Sequence, residues 1–131
     1  MQENVKVNSI FFEGQISDAY SLLLEILASA KEELIIIDNY VSKELLDIVK
    51  SLKINIKIYS KNMDETLIKK YKSQYNNVEL ILNNKFHDRF LILDKKRLYH
   101  CGASFKDLEH KCFAINKIEE INVLKELLEY I

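Results

Sequence analysis

The side chains best suited to chemistry lie in ten residues, Phe86 to Lys95, which read F-H-D-R-F-L-I-L-D-K. His87 is followed two positions later by Arg89 and, five further on, by Asp94, with an apolar stretch between. Cys-Gly-Ala-Ser follows at 101–104. Histidine serves as nucleophile or as general acid and base because its pKa lies near working pH. Arginine carries a permanent charge on a planar fork that clamps phosphate oxygens two at a time. These types together suit phosphodiester cleavage without a metal. A nucleophile attacks phosphorus, an acid protonates the leaving oxygen, and fixed positive charge steadies the non-bridging oxygens.

If a strand runs from residue 86 to 93, His87 and Arg89 project from one face, because side chains alternate with period two. Asp88 then points the other way and is the weaker candidate. Asp94 ends the strand, and two roles stay open for it: accepting hydrogen bonds from turn amides, or orienting an imidazole. Ser104 could donate to a phosphate oxygen or to His87, or simply complete a turn. Lys106, two residues beyond, offers a second positive group. His100 and His110 read as ordinary surface or core histidines.

The elements around these residues follow from periodicity. Ile10–Phe12 reads as a short strand. Residues 16–30 have helical apolar spacing, with Ser17 or Asp18 available as a cap. Leu34–Ile37 is an unbroken apolar run of the kind buried on both faces in a parallel sheet. A helix over 42–52, capped by Ser42, leads to an alternating strand over 54–59. A helix over 64–75 and a strand over 78–82 continue the β-α-β alternation, which predicts parallel strands joined by crossover helices. Two strands, 89–93 and 97–101, then flank Asp94-Lys95-Lys96 as an antiparallel hairpin. A strand over 112–115 and a helix over 119–130 close the chain. The expected fold is α/β, with a mixed, largely parallel sheet sandwiched between helices, in one domain over 1–131. Asn39 and Tyr40 follow the Leu34–Ile37 strand, at the kind of strand end where ligands of α/β sheets collect. They are candidate substrate-binding residues, with turn and helix-entry roles as the alternative.

Composition narrows the function classes. The chain has 131 residues, 48% hydrophobic and 30% charged, with no proline and two glycines. That is an ordinary globular balance. No apolar run approaches a membrane span, and the first residues lack the form of a secretory signal, so the expectation is a cytoplasmic protein with no membrane partner. Cys101 and Cys112 match no metal-ligand spacing, even with His100 and His110 beside them, so neither a metal nor another cofactor is expected. The charge is uneven. Residues 1–50 carry four lysines against nine acids, and residues 51–131 carry fifteen basic residues against eleven acids. The half that holds His87 is thus the basic one, compatible with an anionic substrate.

The motif resembles one half-site of the phospholipase D superfamily, whose signature is His-x-Lys-x4-Asp followed by Gly-Ser-x-Asn. F-F-E-G-Q-I-S-D-A-Y, I-I-I-D-N-Y, H-D-R-F-L-I-L-D and Y-H-C-G-A-S-F-K-D-L look like a phospholipase-D-like domain of bacterial proteins. The resemblance implies that His87 is the nucleophile or the acid, Arg89 the phosphate-binding cation, Asp94 the motif aspartate and Ser104, approximately, the motif serine. Three departures stand out. Arginine replaces lysine, an alanine separates Gly102 from Ser104, and the motif asparagine has no clear counterpart. Only one half-site is present and there is no internal repeat, so the resemblance implies a homodimer that brings two copies of His87 together. The function it implies is a metal-independent phosphodiesterase acting as a nuclease. The alternative is a catalytically inactive module that binds a phosphate-bearing ligand or serves dimerisation.

Overall fold

A computed structural model describes residues 9–12, 16–102 and 113–131. The elements in chain order are β1 (Ser9–Phe11), α1 (Ile16–Ala28), β2 (Glu33–Ile37), α2 (Lys43–Val49), β3 (Asn55–Ser60), α3 (Glu65–Gln74), β4 (Val78–Leu82), β5 (Arg89–Leu93), β6 (Arg97–Cys101), β7 (Phe113–Ile118) and α4 (Ile121–Tyr130). The strands form one sheet in the order β1-β7-β6-β5-β2-β3-β4.

The α/β class and the mixed sheet agree with the sequence, but the expected balance of strand directions does not. Parallel pairing is confined to β2, β3 and β4. The other four neighbour pairings are antiparallel. The cause is the path after β4. Instead of another crossover helix, the chain returns past β3 and β2 and inserts β5 antiparallel beside β2. Two further reversals then add β6 and β7, and β1 closes the far edge against β7 rather than joining the parallel set.

Alternation along the central strands divides two apolar layers. Leu34 and Ile36 of β2, Ile56 and Ile58 of β3, and Leu91 and Leu93 of β5 pack with α1, α2 and α3 on one face. Ile35, Ile37, Ile92 and Leu98 pack against Leu124 of α4 on the other. β2 is covered on both sides, which explains its unbroken apolar run. Each fully buried aliphatic side chain there contributes roughly 1.5–3 kcal/mol relative to exposure.

Local signals set the helix ends. Ser42 caps α2, accepting from the amide of Leu45 at 3.3 Å. Asp64 caps α3, accepting from Thr66 at 2.8 Å. α1 starts at Ile16, so Asp18 lies in its first turn, where a carboxylate favours the helix dipole, and neither Ser17 nor Asp18 is the cap. Tyr71 of α3 donates to Asp47 of α2 at 3.0 Å. Burial first, and then the Asp47 carboxylate, push the Tyr71 phenol up to about 12. Among the described residues no helix is long and apolar enough to cross a membrane.

Candidate functional site

The site begins with the crossing from β4 to β5. In the sheet, β3 and β2 separate these two strands, so the crossing spans three strand spacings, about 14 Å. Six residues, 83–88, make the crossing and can extend at most about 20 Å. The segment is therefore drawn across the ends of β3 and β2 rather than looped into solvent. Hydrogen bonds hold it there. The Asn83 amide donates to Ser60 O at 2.9 Å, the Lys85 amide to Asn83 Oδ1 at 2.8 Å, and Asn39 Nδ2 to Phe86 O. Asn39 is itself fixed, because its carbonyl accepts from the amide of Asn62 at 3.0 Å. The Phe86 ring sets edge-on against Phe90 and Tyr130, locking the segment to α4.

This geometry corrects the expectation that the strand begins at residue 86. β5 begins at Arg89, and His87 and Asp88 lie in a bend before it, both exposed. The alternation argument therefore does not fix the direction of the His87 side chain. It does apply to Arg89, which shares its strand face with Leu91 and Leu93, on the side that α1–α3 cover. The Arg89 side chain keeps 25% of its surface exposed at the strand end. His87 and Arg89 are two residues apart, so their Cα atoms lie within roughly 7 Å. Asn39 and Tyr40 follow β2 at the same end of the sheet. Tyr40 is 45% exposed, while its amide donates to Asp38 Oδ1 at 3.0 Å. Asp38 itself is fully buried. Gly102 leaves β6 at this end too, its amide bonded to Ala114 O at 2.8 Å. Ser104 and Lys106 lie outside the described residues, as do His110 and Cys112. Cys101 is buried.

Asp94 is separated from this group. Five residues of β5 place it at the opposite end of the sheet, about 17 Å from the His87 end along the strand. Its carboxylate accepts from the amides of Lys31 at 3.0 Å, Glu32 at 2.7 Å and Glu33 at 3.0 Å. Arg97 adds an ion pair at 3.8 Å while donating to Ser29 O at 2.9 Å. Partial burial raises the Asp94 pKa, but the amides of Glu33, Lys31 and Glu32 and the Arg97 guanidinium outweigh it and hold the carboxyl below its ordinary value. Both Asp94 and Lys95 have a φ of 56°, the twisted two-residue turn that suits a hairpin. Asp94 is therefore a clamp on the α1–β2 junction and does not orient the His87 imidazole. Sequence reasoning foresaw an amide-binding role but not that the amides lie more than sixty residues upstream.

Two residues set aside in the sequence come together here. His100 Nε2 lies 2.9 Å from Asp88 Oδ1, which is 3.9 Å from Arg89 Nη1. The imidazole contact is close but poorly directed, since Nε2 makes no well-aligned hydrogen bond. The His100 ring also packs on Phe90, 5.6 Å between centroids. Hairpin register carried the signal: Phe90 pairs with His100, so His100 sits diagonal to residue 88 across the strands.

The β2–β5 junction is where the chain, having built outward to β4, switches to the other side of β2. Open α/β sheets bind ligands at such a switch, outside the carboxyl ends of the parallel strands. An exposed histidine, a half-buried arginine, an asparagine and a tyrosine at that junction can receive an anion and transfer a proton to or from it.

Neither a protein-family model nor a curated protein matches the chain. Solved structures do. NucT from Helicobacter pylori superposes with a TM-score of 0.70 at 19% identity, over 94% of this chain and 91% of its own. TrmBL2, an archaeal chromatin protein whose structure shows a mode of DNA binding, gives a TM-score of 0.57 at 17% identity, over 96% of this chain and 50% of its own. The mixed seven-stranded sheet and its flanking helices thus have the phospholipase-D-like fold of NucT.

Proposed function

We propose that this chain is a phosphodiesterase of the phospholipase D kind, acting on nucleic acid without a metal, and that its site is completed by a second copy. The observation that carries this reading is the junction of β2 and β5, where an exposed His87 and a half-buried Arg89 share the sheet end with Asn39 and Tyr40. The fold adds support, since NucT is a phospholipase D-family nuclease and a dimer. In the proposed reaction His87 attacks phosphorus and the leaving oxygen departs with a proton from the partner copy's imidazole. The phosphohistidine is then hydrolysed by a water that the same imidazole deprotonates. Arg89 neutralises the non-bridging oxygens as charge shifts onto them. Asn39 is a positioning residue that holds the backbone next to His87 through Phe86. Ser104 and Lys106 would add a hydrogen bond and a second cation.

The test is cleavage of single- and double-stranded DNA, RNA and bis(p-nitrophenyl) phosphate in EDTA, with His87→Ala in parallel. Metal-independent turnover that disappears in the variant is expected. Cleavage that requires a divalent metal and survives His87→Ala would overturn the mechanism.

One observation favours a second reading, a module that binds phosphate groups without turnover. The Asp88 carboxylate stands 3.9 Å from Arg89 and competes with any phosphate for it. TrmBL2, a chromatin protein, has a similar fold. Under that reading Arg89→Ala weakens phosphate-dependent binding, and His87→Ala leaves binding intact.

A further inference from the structure

A groove of about 370 Å³ opens between the ends of β3 and β4, lined by Lys61, Leu82, Asn83 and Asn84. It is on the same rim as His87, because Lys61 follows the last residue of β3 and Asn84 belongs to the segment that crosses to β5. From β5 to β3 is two strand spacings, about 10 Å. Roughly three stacked nucleotides of one strand, rising 3.4 Å each, cover that distance. The rim between is a built ledge. An isolated bridge joins Tyr40 to Asn62, the Asn62 amide donates to Asn39 O at 3.0 Å, and the Ser60 hydroxyl donates to Asn62 O at 3.0 Å.

We infer that this groove is a subsite for a neighbouring nucleotide, so that the substrate is a single polynucleotide strand laid along the rim from His87 to Lys61. The inference rests on the phosphodiesterase reading and extends it to the substrate. Lys61 is exposed and no carboxylate among the described residues engages it, so its ammonium is available to a phosphate. Asn83 Oδ1 is occupied by the Lys85 amide, which leaves its Nδ2 as a donor, and the Asn84 amide is exposed. Leu82, 70% exposed, gives a sugar or base an apolar floor. Tyr40, an exposed residue, stands midway, and an unpaired base can stack on an aromatic side chain. Bases in a duplex have their pairing edges filled and their faces stacked, so they cannot use these groups. A lipid would need a broader apolar surface than one leucine, and a small phosphodiester would not reach Lys61.

The experiment measures kcat/KM in EDTA on bis(p-nitrophenyl) phosphate, a single-stranded oligonucleotide and its duplex, for the wild type, Lys61→Ala and Asn84→Ala. In the wild type the single strand is expected to be preferred over both others. In Lys61→Ala the preference for the oligonucleotide over the small phosphodiester falls about tenfold, through KM, and the salt slope of log KM flattens by about 0.7. Asn84→Ala lowers the same preference a few-fold without changing the slope. An unchanged preference in both variants, or equal use of the duplex, overturns the subsite while leaving the phosphodiesterase reading in place. No turnover of any of the three substrates by the wild type overturns both together.

Discussion

The two ends of β5 are built in opposite ways. At the Asp94 end nearly every polar group is spoken for. Three backbone amides and a guanidinium converge on one carboxylate, and the guanidinium is held in turn by Ser29. At the His87 end the backbone is just as firmly tied, through Asn39, Ser60 and Asn83, but His87, Tyr40 and Lys61 are exposed. One end spends its polar groups on holding α1, β2 and the hairpin together. The other ties down its main chain, leaves histidine, tyrosine and lysine exposed, and keeps a half-buried arginine beside them. The lesson is that a ten-residue motif need not be one site. Its aspartate is scaffold, and the histidine and arginine to which we assign the chemistry lie at the other end of the strand.

The sharpest way to break this contrast is to remove one group from each end. His87→Ala is expected to lower phosphodiester turnover by roughly 10³-fold or more, with stability unchanged to within about 0.5 kcal/mol, measured by initial rates and urea unfolding. Asp94→Ala, next in size, is expected to cost about 2–4 kcal/mol, since it leaves Arg97 and three amides without their shared acceptor. Because the folded Asp94 pKa is depressed, its contribution is fully present above the unfolded carboxyl value near 3.9 and is lost as pH falls through the folded value. Urea midpoints followed from neutral pH into that acid range should drop more steeply in the wild type than in Asp94→Asn. Asn39→Ala should cost about 1 kcal/mol in stability and reduce turnover roughly tenfold, because the crossing segment loses its tie at Phe86. The smallest effect belongs to Asp88→Asn. Removing the carboxylate beside Arg89 should tighten inorganic phosphate binding about two- to threefold, read by competition against turnover.

The sequence carried the local part of this account well. Ser42 caps α2 as its position suggests, the 94–96 turn forms, and the doubly buried β2 shows as an unbroken apolar run. The histidine, arginine and strand-end asparagine were legible as types and spacings. Long-range placement was not. Nothing local says that β5 inserts antiparallel beside β2, so the sheet was expected to be largely parallel. The same insertion stretches residues 83–88 across the rim, which delays β5 to Arg89 and takes His87 out of the strand. The partners of Asp94, and the meeting of Asp88 with His100, depend on that topology and on hairpin register rather than on any neighbouring residue.

The most direct test of the divided motif compares His87→Ala with Asp94→Asn in one experiment, recording urea unfolding and turnover per folded molecule for each. The account predicts crossed results: His87→Ala folds like the wild type and has lost turnover, while Asp94→Asn unfolds earlier and, below its transition, turns over substrate at a rate close to the wild type. A stable, folded Asp94→Asn protein that has lost turnover, beside a His87→Ala protein that retains it, would contradict the account.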